Sequence, residues 1–120
     1  MNDYDLKIRT KNFSLLIFKI LDELPNTTSS KVISFQIAKS GTSVGANYRA
    51  ACRARSDKEF VSKLNIVLEE ADESQYWLEL INEGVIMDNE KVITALKEAE
   101  ELISIFVTIL KNTKNRMNKK

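Results

Sequence analysis

The stretch SGTSVGANYRAACRAR, from Ser40 to Arg55, holds the residues of this sequence best suited to binding or chemistry. It contains two of the three glycines and three arginines, and it contains no acidic residue. Arginine forms paired hydrogen bonds with phosphate, and glycine lets a backbone approach a ligand or another helix closely. The spacing is G-x-x-x-G with no Lys-Ser or Lys-Thr after it and no strand before it, so a phosphate-binding loop is disfavoured.

The side chains needed for catalysis or metal binding are few. The sequence has no histidine and a single cysteine, Cys52. A Ser-His-Asp or Cys-His site is therefore excluded, a zinc site is disfavoured, and Cys52 is expected to be a small buried thiol. Glu69, Asp72 and Glu73 share a helical face, but a di-metal bundle site would also want Glu-x-x-His motifs. We predict no enzymatic activity, no metal and no cofactor, and no small-molecule substrate is evident.

Charge is distributed in blocks, although the net charge is only +1. Residues 31–55 carry five basic residues and no acid, and residues 69–101 carry eleven acids against two lysines. Residues 102–120 carry five basic residues and no acid. Such blocks either orient partners or subunits, or are the solvated faces of helices, and the pattern leaves both interpretations open.

Apolar residues recur at spacings of three and four in the first half of the chain, which predicts two helices. The first runs from about Tyr4 to Leu24 and ends before Pro25, which disfavours helix at the preceding residue. The second runs from about Ser29 to Arg55, after a cap at Thr27 or Thr28. The expected inward positions are Phe13, Leu16, Ile17, Ile20, Leu21 and Leu24, then Val32, Ile33, Gln36, Ile37, Ser40, Val44, Tyr48 and Ala51.

Two further helices are predicted in the second half of the chain. Ser56 to Glu59 reads as a capping box, in which the Ser56 side chain caps the third helix and Glu59 reaches back to the cap N–H. That helix runs to about Glu83, with Gly84 as a left-handed stop, and Asp88 is expected to cap the fourth. The expected inward positions are Phe60, Leu64, Val67, Leu68, Ala71, Gln75, Leu78 and Ile81, then Val92, Ile93, Leu96, Ala99, Leu102, Ile103, Phe106, Ile109 and Leu110.

Four amphipathic helices with short links predict an all-α fold, an antiparallel up-down-up-down four-helix bundle. We expect residues 1–120 to form a single domain, with a basic tail that frays from about residue 112 because it lacks apolar periodicity. No apolar run is long enough to span a membrane, and the first ten residues do not resemble a signal peptide. A cytoplasmic location is the resulting expectation.

The glycines of the opening stretch are predicted to serve helix packing. Gly41 and Gly45 are four residues apart and share one helical face, where each costs about 1 kcal/mol relative to alanine. This cost is expected to be offset by packing, because a face without side chains lets another helix approach closely. Asn47 either forms a hydrogen bond across a helix contact inside the bundle or belongs to a polar recognition site at its end. Tyr48 is grouped with these packing or assembly residues.

The basic residues that follow are the candidate nucleic-acid contacts. Arg49 and Arg53 are one helical turn apart and repel each other unless an anion lies between them. That anion is an acid of the same chain (Glu69, Glu70, Asp72 or Glu73), an acid of a neighbouring subunit, or a phosphate. The basic tail is either an arm for RNA or a soluble tail that complements the end of its helix. The full candidate set is Arg49, Arg53, Arg55, Lys111, Lys114 and Arg116.

Tyr76 and Trp77 are the aromatic pair within the acidic block. Large amphipathic rings are favoured at helix and subunit contacts, so we predict that both residues serve packing or assembly. Stacking of a nucleic-acid base on Trp77 is the alternative, although few basic residues lie nearby in the sequence.

The segment SGTSVGANYRAACRARSDKEFVSKLNIVLEEADESQYWLELI resembles the signature of the bacterial four-helix-bundle proteins, also called ribosomal RNA intervening-sequence proteins. The similarity runs from about Gln36 to Ile81, and the helical layout extends it over nearly the whole chain. The resemblance implies a four-helix bundle that assembles into a ring-like homopentamer. A related group, the accessory proteins of diversity-generating retroelements, binds a reverse transcriptase and nucleic acid.

Two functional hypotheses follow. In the first, the protein is a non-enzymatic homo-oligomer that acts as a scaffold for RNA, DNA, a ribonucleoprotein or a nucleic-acid enzyme. In the second, it is an adaptor that binds a protein partner and makes no contact with nucleic acid. An enzyme is disfavoured, since no nucleophile, base and orienting group occur together.

Overall fold

A computed structural model describes residues 2–84 and 89–119 of the chain. It contains four helices, α1 (Asp3–Glu23), α2 (Thr28–Cys52), α3 (Asp57–Gly84) and α4 (Glu90–Asn118), and no strand among the described residues. Each helix packs on the next in sequence and α4 also packs on α1, whereas the diagonal pair α2 and α4 meets in the core through side chains such as Tyr48 and Phe106. This arrangement, 53 Å long and about 20 Å across, is the predicted up-down-up-down four-helix bundle.

Side-chain caps begin the second and fourth helices. The Thr27 hydroxyl accepts a hydrogen bond from the Ser30 N–H at 3.1 Å, which confirms one of the two predicted caps of α2. Asn89 caps α4 by accepting a hydrogen bond from the Lys91 N–H at 2.7 Å. The predicted cap, Asp88, lies outside the described residues, and Asn89 fills that role.

Two predicted features at the ends of α3 differ from the structure. The Ser56 hydroxyl accepts the Glu59 N–H at 3.1 Å as expected, but the Glu59 carboxylate accepts the N–H of Arg55, at 3.4 Å, and not that of Ser56. Only half of the capping box is therefore present. Helix α3 ends at Gly84, as predicted, but Gly84 does not adopt a left-handed conformation, so only that part of the prediction is wrong.

The apolar stripes of the four helices meet in one core. Phe13, Ile17 and Ile20 of α1 are fully buried, as their spacing predicts, and the core also includes Leu6, a position outside the predicted helix stripe. Val32 was expected to point inward but is 56% exposed. The largest fully buried side chains also include Tyr48, Phe106, Ile37, Leu64, Leu78, Ile81 and Leu102.

Helices α1 and α2 approach closely where α2 has its two glycines. A Cβ atom on Gly41 would overlap the Cδ1 atom of Ile17, and one on Gly45 would lie 3.2 Å from the Thr10 hydroxyl oxygen. The Ser14 hydroxyl donates a hydrogen bond of 2.9 Å across this contact to the Gly41 carbonyl. These contacts set the register of α1 against α2, with Thr10 facing Gly45 and Ser14 facing Gly41.

Candidate nucleic-acid interface

The six predicted nucleic-acid residues lie at one end of the bundle. The antiparallel order brings the C-terminal ends of α2 and α4 together with the N-terminal ends of α1 and α3. We call residues 2–11, 49–63 and 111–119 the basic end. The six side chains are all exposed there, on two helices and one turn: Arg49, Arg53, Arg55, Lys111, Lys114 and Arg116.

The bundle is polarised in charge along its length. The basic end contains twelve Lys and Arg residues and four Asp and Glu residues. The rest of the described chain, 12–48, 64–84 and 89–110, contains five Lys and Arg residues and twelve Asp and Glu residues. Opposite charges are thus separated along a molecule 53 Å long, although the net charge of the chain is near zero.

The arginines at the end of α2 have no acidic partner in the described chain. Arg49, Arg53 and Arg55 form no ion pair with a described carboxylate. The acids at 69–73 lie more than ten residues into α3, further along the bundle than the end of α2. Pairing with these acids of the same chain, one of the three alternatives, is therefore absent from the described residues, which leaves a neighbouring subunit or a phosphate as the anion.

Helix α4 continues to Asn118, beyond residue 112, from which the chain was expected to fray. Thr113 is buried and donates its hydroxyl hydrogen to the Ile109 carbonyl at 2.8 Å. The Arg116 guanidinium donates to the Asp57 carboxylate at 2.9 Å, which joins the end of α4 to the start of α3. Lys111 and Lys114 are therefore presented by a helix, and Arg116 is partly occupied by an ion pair.

A groove of about 500 Å³ lies between α1 and α2 at the basic end. We call it the α1/α2 groove. Four cations line it, Lys7 and Lys11 from α1 and Arg49 and Arg53 from α2, and none of the described residues that line it is acidic. The sequence interpretation missed Lys7 and Lys11, although their spacing of four residues places them on one face of α1.

The remaining walls of the α1/α2 groove are apolar or small. Tyr4, Ile8 and Leu15 line the α1 side and are all exposed, with Tyr4 at 69%. Gly45 and Ala46 line the α2 side. These small residues form a shallow floor, and a row of cations from each helix lies on either side of it.

Asn47 bonds within its own helix, whereas Tyr48 is buried in the core of the bundle. The Asn47 amide forms a structural hydrogen bond inside the bundle, but it donates to the Ser43 carbonyl of its own helix at 2.8 Å and not across a helix contact. Tyr48 is buried against Phe106, with ring centroids 5.7 Å apart, and its hydroxyl donates to the Asp3 carboxylate at 3.2 Å. Burial raises the pKa of the Tyr48 hydroxyl far above its ordinary value, and the neighbouring Cys52 and Asp3 raise it further, so Tyr48 stays neutral.

Comparison with known proteins places the chain in a family. The model of the 23S rRNA-intervening sequence protein family matches residues 2–108. The chain belongs to this family. A solved structure described as a protein with unknown function from the S23 ribosomal protein family of Bacteroides thetaiotaomicron is 36% identical in sequence, with a TM-score of 0.82. The match covers 92% of this chain and 99% of that chain, whereas no curated protein matches.

Within this family member, the aromatic pair of α3 lies far from the basic end. Tyr76 is 55% exposed and contacts the half-buried Trp77 edge to face, with ring centroids 5.3 Å apart. The Trp77 indole N–H donates to the Glu73 carboxylate at 3.4 Å. Trp77 lies twenty residues into α3, or about 30 Å along the helix axis, which separates it from the basic end.

The remaining candidate chemistry in the chain is sparse. Cys52 is a free, half-buried thiol. Partial burial raises the pKa of the Glu70 carboxyl above its ordinary value, and Glu73 adds to the effect while Lys39 opposes it. Among residues 2–84 and 89–119, no group of three or more metal-binding side chains could hold a metal ion. None of the four helices combines the length and apolar character needed to cross a membrane.

Proposed function

We propose that this protein is a non-enzymatic homo-oligomeric scaffold that binds RNA or DNA through its basic end. The observation that carries the proposal is the charge polarity of the bundle, with twelve basic residues against four acids at one end. We propose a pentamer as the assembly and the cytoplasm as its location. The 23S rRNA-intervening sequence family description is consistent with a partner that contains RNA.

Basic side chains bind a nucleic-acid backbone by neutralising its phosphates. Each Lys or Arg that contacts a nucleic-acid backbone releases condensed counterions, so binding gains free energy that falls as salt rises. Exposed arginines without a carboxylate partner are free to make such contacts, because no intrachain bond must break first. Arg49, Arg53 and Arg55 meet this condition.

A first prediction tests the nucleic-acid contact. In the triple variant R49Q/R53Q/R55Q, affinity for a labelled RNA hairpin or DNA duplex is expected to fall by about tenfold or more at about 100 mM salt. The slope of log affinity against log salt is expected to shrink by about 2 to 3, since each phosphate contact contributes about 0.7 to 0.9. Fluorescence anisotropy between about 50 and 200 mM salt measures both quantities.

The matched control for this prediction removes the same charge elsewhere. Lys19, Lys31 and Lys39 are exposed and lie outside the basic end, so K19Q/K31Q/K39Q changes the net charge equally. It is expected to leave the salt slope nearly unchanged. If both triple variants lose affinity equally, binding depends only on the net charge of the protein, and the basic end is not the interface. If the wild-type protein binds neither RNA nor DNA at low salt, the nucleic-acid role is wrong.

Self-association is supported by an apolar patch on the same side of the bundle. Leu15, Phe18, Val32 and Phe35 are exposed, Phe35 at 73%. Phe18 continues the row of α1 residues that line the groove, and Val32 and Phe35 continue the corresponding row of α2. The α1/α2 register puts Phe18 and Phe35 within about one helical turn of each other. Contiguous exposed apolar side chains of this kind mark protein contacts.

A second prediction tests this patch. Wild-type protein is expected to show a light-scattering mass several times that of one 13.7 kDa chain. In F18S/F35S the mass is expected to fall toward one chain, because the contact between subunits loses the two large rings that assembly would bury. Val107 is exposed on α4 and serves as the control, with V107S keeping the wild-type mass. A wild-type mass near 13.7 kDa contradicts the assembly.

The second candidate function is a protein-binding adaptor. The observation that favours it is the acidic outer face of α3, where the exposed Tyr76 lies among Glu69, Asp72 and Glu73. Such a face suits a basic protein partner. Recovery of a specific protein partner that persists after nuclease treatment, with no nucleic acid bound, favours the adaptor over the scaffold.

A further inference from the structure

We propose that the α1/α2 groove is a site for single-stranded nucleic acid, in which an unpaired base lies against Tyr4 while flanking phosphates contact the two rows of cations. This inference rests on the proposed nucleic-acid role and deepens it by naming the form of the ligand. Three features of the groove support this site: its size, its aromatic wall and the placement of its charges.

The size and floor of the groove suit a flat ring. Its volume of about 500 Å³ is within the range of about 300 to 1,000 Å³ that is usual for small-ligand sites. The floor on the α2 side is formed by Gly45 and Ala46, which carry no bulky side chain. A base can therefore enter between the helices without displacing a core residue.

The aromatic wall of the groove favours a single strand over a duplex. Tyr4 lines the groove and is 69% exposed, and Ile8 lies one turn further along α1. Single-strand sites combine a positively charged groove with an aromatic ring on which a base stacks. The bases of a duplex are paired and stacked inside it, so a duplex reaches the cations but not Tyr4.

The charges of the groove suit a phosphate backbone. Lys7 and Lys11 are one turn apart on α1, and Arg49 and Arg53 are one turn apart on α2, so a strand lying in the groove has cations on both sides. The acids of the first turn of α1 point to other partners. The Asp3 carboxylate accepts a hydrogen bond from the Tyr48 hydroxyl at 3.2 Å, and the Asp5 carboxylate accepts one from the Asn2 N–H at 3.5 Å.

A capping box fixes the backbone of the first turn of α1, which carries Tyr4. The Asn2 side chain accepts the Asp5 N–H at 2.9 Å, and the Asp5 carboxylate accepts the Asn2 N–H, which together form a capping box. Tyr4 lies between these two residues. A stacking ring on a capped helix binds with less ordering cost than one on a loop.

The test compares a labelled oligothymidylate strand with a blunt DNA duplex of the same length, by fluorescence anisotropy at low salt. In Y4A, strand affinity is expected to fall about 5- to 150-fold, the usual effect of removing one stacking ring, while duplex affinity changes less than about twofold. Y4F keeps the ring and is expected to bind the strand like wild type. Y76A removes an exposed tyrosine outside the basic end and is the matched control.

A second variant tests the groove without touching the ring. Ala46 lines the groove and is exposed, and leucine is also a good helix former, so A46L is expected to fill the groove while α2 stays intact. Strand affinity is expected to fall while duplex affinity is retained.

The outcomes separate this inference from the proposed function. If the wild-type protein binds neither probe, both fail. If it binds both probes and neither Y4A nor A46L weakens strand binding selectively, the inference alone is overturned. If A46L changes the light-scattering mass and leaves strand binding intact, another copy of the chain covers the groove, and the inference is again overturned.

Discussion

Replacing Tyr48 with alanine is expected to lower the free energy of unfolding by about 3 to 5 kcal/mol, the usual cost of truncating a buried aromatic residue. Tyr48 is first among the fully buried side chains by volume, and it packs against Phe106 in the hydrophobic core. Helix α2 would lose its largest core contact, and the surrounding helices could close the cavity only in part. Urea denaturation followed by circular dichroism measures the change.

The Tyr48→Phe variant separates packing from the hydroxyl group. It keeps the ring and removes only the hydrogen bond to Asp3 at 3.2 Å, so the expected loss is about 1 kcal/mol. A loss as large as that of Tyr48→Ala would mean that the Asp3 contact, and not the ring, dominates. Both variants are expected to keep the exposed arginines of the basic end, so nucleic-acid binding should follow the folded fraction.

The raised pKa of Tyr48 adds a dependence on pH to this prediction. Because the folded protein keeps the hydroxyl neutral while the unfolded chain ionises near pH 10, the stabilising effect is fully present below about pH 10. It is lost as pH rises above that value. Wild-type protein is therefore expected to lose more stability than Y48F between about pH 9 and 11. Equal losses would contradict the shift.

The helices and their inward faces were largely predictable from the sequence. Apolar residues spaced by three and four can form a continuous buried stripe only on a helix, so Phe13, Ile17 and Ile20 identified the core face of α1. A cap at Thr27 or Thr28 was predictable because a threonine side chain is suited to accept the exposed N–H groups of a first turn, but only the structure decides for Thr27. The prediction for Val32 was wrong because periodicity alone does not separate buried from exposed apolar residues at the margin of a stripe.

The α1/α2 groove was not predictable from the sequence. Its residues come from two helices, and the sequence does not show how those helices are aligned against each other. Gly41 and Gly45 predicted a close helix contact but did not identify the partner helix. The structure assigns α1 as that partner, and only then do Lys7 and Lys11 face Arg49 and Arg53 across one groove. The basic blocks of the sequence likewise form one surface only because the antiparallel order of the helices brings their ends together.

The end of α4 shows the limit of periodicity as a guide. Residues 111–118 lack an apolar stripe, yet they remain helical because Thr113 is buried and Arg116 pairs with Asp57 on α3. A threonine that bonds to the carbonyl four residues earlier can be buried in a helix without an unsatisfied polar group. Long-range contacts of this kind leave no local pattern in the sequence.

Gly41→Ala is expected to destabilise the bundle by about 1 to 2 kcal/mol, although alanine is the better helix former. The substitution gains about 1 kcal/mol of helix propensity, but the new methyl overlaps the Cδ1 atom of Ile17, and overpacking a core costs about 1 to 3 kcal/mol or more. Ile17 is fully buried and has little room to move. Gly84→Ala is the matched control, since no atom lies within 4 Å of its added Cβ, and it is expected to be neutral or stabilising.

A double-mutant cycle then identifies the atom responsible. Ile17→Val removes the Cδ1 atom that a methyl on Gly41 would meet, at a cost of about 0.5 to 1.5 kcal/mol when made alone. In G41A/I17V the added methyl occupies the space that Cδ1 vacates, so the double variant is expected to be more stable than the sum of the two losses predicts, by about 1 kcal/mol or more. Additive losses would mean that the clash is relieved by a shift of α1. In that case the register that aligns Lys7 and Lys11 with Arg49 and Arg53 would also move, and strand binding by G41A should fall with it.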